Sequence, residues 1–115
     1  LLKEKCDTIL LLDNDEFYTL EQINNSEVLF LDVRNNEEYP KIVFKNSIQI
    51  PLNNLKKGLH QLDNTKEIFV FCQSGIRSKT ATEILVKNGF KKVKNIIGGA
   101  TLLDELLNNK TILAL

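Results

Sequence analysis

The chain has 115 residues, of which 43% are hydrophobic and 26% charged, and this is the composition of one ordinary folded domain. It has no apolar run of the roughly 20 residues that a membrane-spanning helix needs, and its two cysteines form neither a disulfide framework nor a metal-ligand pattern. The first residues lack the pattern of a signal peptide, so we expect a cytoplasmic protein. We expect it to bind neither a membrane, nor a metal ion, nor a cofactor. Because the sequence contains no methionine and begins at Leu1, we also expect it to be part of a longer protein.

Acidic and basic side chains balance overall but are unevenly distributed along the chain. Residues 1–40 hold ten acidic and three basic side chains, whereas residues 77–94 hold six basic and one acidic. The basic segment is either a solvated lysine face or a docking surface for an acidic or anionic partner. Nucleic acid is not an expected partner, because Phe90 is the only aromatic residue of that segment and the net charge is zero.

The N-terminal part of the chain shows no clear hydrophobic period over residues 1–16, which we interpret as a linker or N-terminal extension. Residues 17–115 are expected to form one domain. Thr19 and Gln22 have the spacing of a capping box, in which each side chain satisfies a free N–H at the start of a helix. A helix is therefore predicted over Tyr18–Ile23.

Three apolar segments have the character of β-strands. Val28–Val33 is apolar except for Asp32, which is typical of a strand covered on both faces. Ser47–Ile50 is a short strand that ends before Pro51, because proline cannot donate to a strand ladder. Ile68–Phe71 is uncharged and rich in β-branched and aromatic residues, which predicts a buried strand.

Helical patterns separate these strands. Asn53 is predicted to cap a helix with an inward-facing stripe of three leucines, Leu55, Leu59 and Leu62. After a further strand at Val93–Ile97, the pair Gly98-Gly99 permits a tight turn into a last helix capped by Thr101. Strands that alternate with helical crossovers imply an α/β fold with a mainly parallel central sheet and helices on both faces.

The feature with the clearest chemical meaning is Cys72, which ends the strand Ile68–Phe71. A helix is predicted from Ser78 to a glycine end at Asn88-Gly89, so the thiol lies in a short loop before a helix N-terminus. Backbone N–H groups of that loop, curled at Gly75, together with the charge of Arg77, would lower the thiol pKa and favour an oxyanion ligand. The sulfur is expected at the open mouth of this turn with the guanidinium facing it. The alternative is that Cys72 is a small buried hydrophobic residue.

One loop of this chain resembles the active-site loop of the rhodanese family of sulfurtransferases: Cys72-Gln73-Ser74-Gly75-Ile76-Arg77-Ser78. The resemblance covers roughly residues 17–107 and includes three further segments, Leu31–Arg34 with Glu38-Tyr39, Ile48–Leu52 and Gly98-Gly99. The loop is most similar to rhodanese domains fused behind MoeB- and ThiF-type adenylating enzymes of molybdopterin and thiamin biosynthesis. It implies the rhodanese-like three-layer fold, and it implies that Asp32 and Arg34 support the loops beneath the site. A catalytic acid is the alternative role for Asp32.

The resemblance implies a sulfurtransferase in which Cys72 carries a persulfide. The sulfur would come from an anionic donor such as thiosulfate or from a protein persulfide, and the loop amides of Gln73–Ser78 would stabilise the anion while Arg77 orients the donor. The subfamily implies that the acceptor is the C-terminus of a small ubiquitin-like sulfur carrier, activated by an upstream adenylating domain.

Two other functions stay open from the sequence. Cysteine phosphatases and arsenate reductases also place cysteine and arginine around an oxyanion, but they resemble Cys-x5-Arg, whereas four residues separate Cys72 from Arg77 here. A non-catalytic binding module with the same fold is the other candidate, although degenerate rhodanese domains usually lack the cysteine.

The chain departs from the family at two places. The family usually has a Gly-His-Ile segment where Ile42-Val43-Phe44 stands, which affects the expected loop conformation more than the chemistry. A tryptophan is common where Leu103 stands, and the leucine is expected to fill part of that space.

His60, the single histidine, is expected to face solvent, with a role as base for Cys72 as the alternative. Cys6 is expected to be a bystander thiol, with a role as resolving partner for Cys72 as the alternative.

Overall fold

The computed structural model describes residues 27–105 in full, together with the backbone of residues 9–11 and 17–19. Strands β1 (Ile9–Leu11) and β2 (Phe17–Thr19) pair antiparallel, with Leu10 opposite Tyr18. The helix predicted from Tyr18 is therefore wrong at its start, because Phe17–Thr19 is extended. The rest of that prediction, including the capping box with Gln22, lies outside the described residues.

Within residues 27–105, the central sheet has four parallel strands, β3 (Leu29–Asp32), β4 (Ser47–Gln49), β5 (Ile68–Phe71) and β6 (Val93–Asn95). Their spatial order is β4-β3-β5-β6, and Leu31 of β3 lies between Ile48 and Val70. This arrangement confirms the predicted α/β fold with a parallel sheet. Because the strands are parallel, their carboxyl ends meet at one edge, where Asp32, Cys72 and Asn95 follow or end three adjacent strands.

Alternate side chains of the strands bury two separate apolar clusters, one on each face of the sheet. Phe30 belongs to the first cluster, in which it stacks on Phe44 at 3.8 Å between ring centroids and meets Phe69 edge-on at 5.8 Å. Leu31 belongs to the second cluster, which packs against the helices that follow β4 and β5. Coverage on both faces explains why the β3 and β5 sequences are apolar without alternation.

The helix after β4 is shorter and less regular than its leucine spacing predicts. Helix α1 is only Leu55–Gly58, and it is flanked by 3-10 turns at Leu52–Asn54 and Leu59–Gln61. Asn53 is therefore not its cap, since it lies inside the first turn, and no side chain caps α1. Gly58 is packed closely, because a Cβ there would lie 3.1 Å from Ile50 Cγ2. Leu55 and Leu62 are buried and Leu59 is partly buried, so the predicted leucine stripe does face the core.

Helix α2 (Ile76–Lys87) begins two residues earlier than predicted and ends at Asn88-Gly89 as predicted. Its start is fixed by Gly75, whose φ of +104° would strain any residue with a Cβ. Ala81 and Leu85 of α2 are fully buried against the second apolar cluster. Helix α2 therefore anchors the cysteine loop to the sheet from that face.

Helix α3 begins at residue 99 and is described to residue 105 on the opposite face of the sheet. Thr101 lies within it, so the predicted cap at Thr101 is wrong and the helix begins within the Gly98-Gly99 turn itself. Leu103 is fully buried in the first cluster, which confirms that it fills core space. Among the described helices, none is long and apolar enough to cross a membrane.

Candidate functional site

The cysteine loop lies at the carboxyl edge of the sheet and is closed around the sulfur. The Gly75 N–H donates to Cys72 Sγ at 3.0 Å, and Sγ lies 3.4 Å from the Ser78 hydroxyl. Burial raises the pKa of the Cys72 thiol, but hydrogen bonds from Ser78, Gly75 and Ser74 outweigh this and hold the pKa below its ordinary value. The Gly75 N–H is thus directed at the sulfur, as the loop sequence predicts.

The prediction that the sulfur lies at an open mouth is wrong. Cys72 is only 1% exposed, because its side chain belongs to the apolar cluster that includes Val33 and Ala81. A free thiol in such a place resists oxidation and bulky reagents. A sulfur donor therefore reaches Sγ only when the loop that follows Cys72 moves.

Arg77 does not point freely toward a donor site. Its guanidinium forms a forked ion pair with Glu38, with both nitrogen to oxygen distances at 2.6 Å. The Arg77 hydrogen bond lowers the pKa of Glu38 from 4.5 to about 2, and Glu38 in turn raises the pKa of Arg77. The fork that was expected to bind an oxyanion is thus already occupied by a carboxylate of the protein.

Asp32 and Arg34 connect the end of β3 to the cysteine loop. Arg34 is 1% exposed, and its Nε and Nη2 donate to the two carboxylate oxygens of Asp32 at 3.0 and 2.9 Å. Its Nη1 donates to Gln73 Oε1 at 3.0 Å, and the guanidinium lies over the Phe71 ring. A rigid buried ion pair therefore holds the residue next to the cysteine in place.

The first turn of α3 holds the loop from the other face. The Ala100 N–H donates to the Cys72 carbonyl at 2.7 Å, and the Thr101 N–H donates to the Gln73 carbonyl at 3.3 Å. Gly99 makes this approach possible, because a Cβ there would lie 2.3 Å from the Cys72 oxygen. The Gly98-Gly99 pair thus serves the site as a place of close packing as well as a turn.

Asn95, at the end of β6, is a polar residue of the site that sequence reasoning missed. The Ser78 hydroxyl donates to Asn95 Oδ1 at 2.5 Å, and Asn95 Nδ2 donates to the Gly75 carbonyl at 3.3 Å. Asn95 is 7% exposed and Ser78 is fully buried. The available signal was a polar side chain at the carboxyl end of a strand beside the cysteine strand. Glu38 was noted as part of a family segment, but its pairing with Arg77 was not foreseen.

A cavity of about 360 Å³ adjoins the loop, and its lining residues are Ser74, Gly75, Ile76, Lys79, Asn95 and Ile97. Ile76 is 77% exposed and Ser74 is also exposed, so neither contributes to the core. These loop positions, which were predicted to bind substrate, face solvent next to the buried sulfur.

The remaining candidates take no part in the described contacts of the sulfur. His60 is exposed in the turn after α1, as expected. Cys6 lies outside the described residues, and within residues 27–105 no group of three or more His, Cys, Asp or Glu side chains is placed to hold a metal ion. In the segment that replaces Gly-His-Ile, Ile42 is buried, Val43 is exposed and Phe44 stacks on Phe30.

Comparison with known proteins identifies one family. The family described as rhodanese-like domain matches residues 15–105 of this chain. The putative sulfur carrier protein YrkF of Bacillus subtilis (strain 168) is 39% identical over 80 residues, which is 69% of this chain and 43% of that protein. The chain therefore spans less than half of the length of this relative.

Solved structures give the same result. A NAD-dependent persulfide reductase from A. fulgidus is 38% identical with a TM-score of 0.62, over 67% of this chain and 14% of that chain. Reduced CoADR-RHD from Bacillus anthracis is 33% identical with a TM-score of 0.70, over 79% of this chain and 16% of that chain. In both cases the similar region is a small part of a much larger chain.

Proposed function

Because the chain belongs to the rhodanese-like domain family, we propose that it is a sulfurtransferase whose Cys72 carries the transferred sulfur as a persulfide. The observation that carries the proposal is the hydrogen bond that the Gly75 N–H donates to Cys72 Sγ at 3.0 Å, in a loop that also holds the Ser78 hydroxyl 3.4 Å from the sulfur. A backbone donor in this position stabilises a thiolate before the reaction and a persulfide anion after it.

The transfer takes two displacement steps at sulfur. In the first step the Cys72 thiolate attacks the outer sulfur of the donor, a new S–S bond forms, and the donor bond breaks. Sulfite leaves with the electron pair when the donor is thiosulfate, and a thiolate leaves when the donor is a persulfide. In the second step an acceptor nucleophile attacks the outer sulfur of the Cys72 persulfide, and the Cys72 thiolate is released with the electron pair.

A protein persulfide is the donor that the site favours over thiosulfate. The sulfonate end of thiosulfate must compete with Glu38 for Arg77, and that pair has both of its short hydrogen bonds formed. A persulfide has no sulfonate and does not need the Arg77 fork. Two similar proteins bear names that refer to a persulfide and to a sulfur carrier, which is consistent with such a donor.

For the acceptor, we propose the C-terminus of a ubiquitin-like sulfur carrier in molybdopterin or thiamin biosynthesis. This part of the proposal rests on the resemblance of Cys72–Ser78 to domains fused behind MoeB- and ThiF-type adenylating enzymes. The donor and acceptor would meet in the cytoplasm, where free thiols persist. An adenylated carrier is an electrophile, so with this acceptor the outer sulfur of the Cys72 persulfide attacks the acyl carbon and AMP leaves. A second thiol, such as added dithiothreitol, must then cleave the resulting acyl disulfide, which releases the carrier thiocarboxylate and is itself oxidised to a disulfide. Persulfide-loaded protein, adenylated carrier and dithiothreitol together should therefore replace one oxygen of the carrier by sulfur, and an unchanged carrier mass would refute this assignment.

The central test uses a Cys72→Ser variant and a Cys6→Ser control. We expect the wild type and the control to gain the mass of one sulfur atom on treatment with thiosulfate or a low-molecular-weight persulfide, and then to transfer it to cyanide. The Cys72→Ser protein should do neither. Thiocyanate production that survives in Cys72→Ser would refute the proposed role of the thiol.

One observation favours a second candidate, a non-catalytic binding module, because Cys72 is only 1% exposed. If the protein is such a module, Cys72 should gain no sulfur from any donor, even though the sample is folded and monodisperse. A phosphatase is less well supported, since Arg77 is held by Glu38 and is not free to bind a phosphate. Hydrolysis of p-nitrophenyl phosphate that depends on Cys72 would favour it.

A further inference from the structure

We propose that Asn95 is a positioning residue that controls the ionisation of Cys72 by competing with the sulfur for the single hydrogen of the Ser78 hydroxyl. The proposal rests on the proposed function only in taking Cys72 as the reactive group. Three buried side chains carry it, and they form one line from Cys72 Sγ through Ser78 Oγ to Asn95 Oδ1 with distances of 3.4 and 2.5 Å.

The orientation of the Asn95 amide is fixed by the backbone. Its Nδ2 donates to the carbonyl of Gly75 at 3.3 Å. A carbonyl oxygen only accepts, so a flipped amide would set two acceptors against each other and lose this bond. Oδ1 must therefore face Ser78, and an amide oxygen can only accept from the hydroxyl.

The hydroxyl of Ser78 has one hydrogen and cannot give it to both neighbours. At 2.5 Å from Oδ1, that hydrogen lies on the Asn95 side. A lone pair of the hydroxyl then faces the sulfur, and the Cys72 S–H donates to it. This pattern suits the protonated thiol, which supplies the hydrogen that the hydroxyl accepts.

Ionisation of the thiol changes the hydrogen bond that the sulfur forms with Ser78, because a thiolate accepts a hydrogen and cannot donate one. The Gly75 N–H already donates to the sulfur, and the Ser78 hydroxyl adds a further donor to the thiolate only when its hydrogen rotates from Asn95 to the sulfur. Asn95 Oδ1 then loses its partner at a position that is 7% exposed, and an unsatisfied buried acceptor is costly. Asn95 therefore favours the thiol, while the Gly75 N–H favours the thiolate.

Charged groups also lie on the elements around the cysteine loop. They are Arg77 of α2, whose charge interacts with Cys72 and which is paired with Glu38 of the loop after β3, and the Asp32–Arg34 pair at the end of β3. None of these groups is a hydrogen-bond partner of Asn95, so substitution of Asn95 leaves their charges in place. An effect of Asn95 on the thiol must therefore pass through Ser78 or through the Gly75 loop.

The experiment measures the pH midpoint of Cys72 alkylation by iodoacetamide in the full chain with Cys6→Ser as background. The pH dependence of the rate follows the thiolate fraction, whereas access through the loop sets the limiting rate at high pH and not the midpoint. We expect Asn95→Ala to lower the midpoint by about one pH unit, and Ser78→Ala to raise it by a similar amount. In the Ser78→Ala background, Asn95→Ala should change nothing further. Thr82→Val is the matched control, because it removes a hydroxyl of α2 that bonds only the Ser78 carbonyl, and its midpoint should stay at the wild-type value.

Several outcomes would overturn the proposal. A midpoint unchanged or raised in Asn95→Ala would do so, and so would an equal shift by Asn95→Ala with and without Ser78. If Asn95→Ala does not fold, Asn95→Leu still tests the idea, because it has a similar volume, adds no charge and offers Ser78 no acceptor. It must therefore lower the midpoint, and a raised midpoint would contradict the proposal. The alkylation needs no sulfur donor, so its result stands whether or not persulfide transfer is found.

Discussion

The ion pair between Glu38 and Arg77 makes a quantitative prediction about the sulfur donor. Glu38→Gln keeps the size of the side chain and removes the charge that occupies the guanidinium. A free fork can then bind the sulfonate of thiosulfate, so the KM for thiosulfate should fall. The turnover of a persulfide donor, which has no sulfonate, should change much less.

The size of the effect follows from the pair itself. The pKa of Glu38 is lowered from 4.5 to about 2, chiefly by the Arg77 hydrogen bond with further lowering by the Asn35 N–H and Arg34, so at full strength the pair would be worth at most about 3 kcal/mol. Both side chains are partly exposed, at 35% for Arg77 and 28% for Glu38, so solvent screening reduces the interaction to about 1 kcal/mol. Releasing that competition should lower the KM for thiosulfate roughly fivefold.

The assay is thiocyanate formation from thiosulfate and cyanide at several thiosulfate concentrations. Glu37→Gln is the matched control, because Glu37 is the exposed neighbour and its loss changes the net charge by the same amount. A KM that falls equally in both variants would show a general charge effect, and a KM that rises in Glu38→Gln would show that Glu38 holds Arg77 in its working position. Either result would refute the competition argument.

Three further predictions concern stability. Gly99→Ala should lower the free energy of unfolding in urea by roughly 2 to 5 kcal/mol, because its Cβ would lie 2.3 Å from the Cys72 oxygen. The control Gly89→Ala meets no neighbour within 4 Å and should cost about 1 to 2 kcal/mol, so equal costs would contradict the close packing at Gly99. Arg34→Met should cost roughly 3 to 5 kcal/mol, because it leaves Asp32 charged and buried without its partner, and a neutral effect would show that the pair contributes little. Glu38 has a lowered pKa, so its contribution is complete above pH 4.5 and is lost as the pH falls toward about 2; in that window the wild type should lose more stability than Glu38→Gln, measured by urea midpoints, and parallel losses would argue against it.

Much of the fold was accessible from local patterns because the sheet is buried on both sides. Uninterrupted apolar runs predicted β3 and β5, and the glycine at position 89 marked the end of α2. The missed details depend on tertiary contact. Helix α1 is cut short where Gly58 packs on Ile50, and α3 starts early because Gly99 lies against the cysteine loop. A single sequence gives no measure of such close approaches.

In the candidate site, too, local features could be predicted from the sequence and long-range contacts could not. The order of strand end, loop glycine and helix start around Cys72 was predictable, because these residues are neighbours in sequence. The burial of the sulfur was not predicted, because it depends on packing against Val33 and Ala81 from other elements. Glu38 is 39 residues from Arg77, and Asn95 is 17 residues from Ser78, so only the parallel sheet brings these pairs together. The sequence pointed to Cys72 and to the loop amide of Gly75, but it gave no sign that Asn95 binds the Ser78 hydroxyl or that Glu38 binds the Arg77 guanidinium.

These two competitors act in the same direction. Glu38 occupies the guanidinium that an anionic donor would use, and Asn95 occupies the hydroxyl hydrogen that a thiolate would use. With Cys72 at 1% exposure, the resting sulfur is therefore shielded from small oxyanions, and Asn95 limits how far the loop hydrogen bonds lower the pKa of the thiol. A donor protein that contacts the exposed residues Ser74 and Ile76 beside the sulfur could move the loop and shift both hydrogen bonds, whereas thiosulfate has too few atoms to do so. Activity with thiosulfate should accordingly be low in the wild type and should rise most in a variant that combines Glu38→Gln with Asn95→Ala.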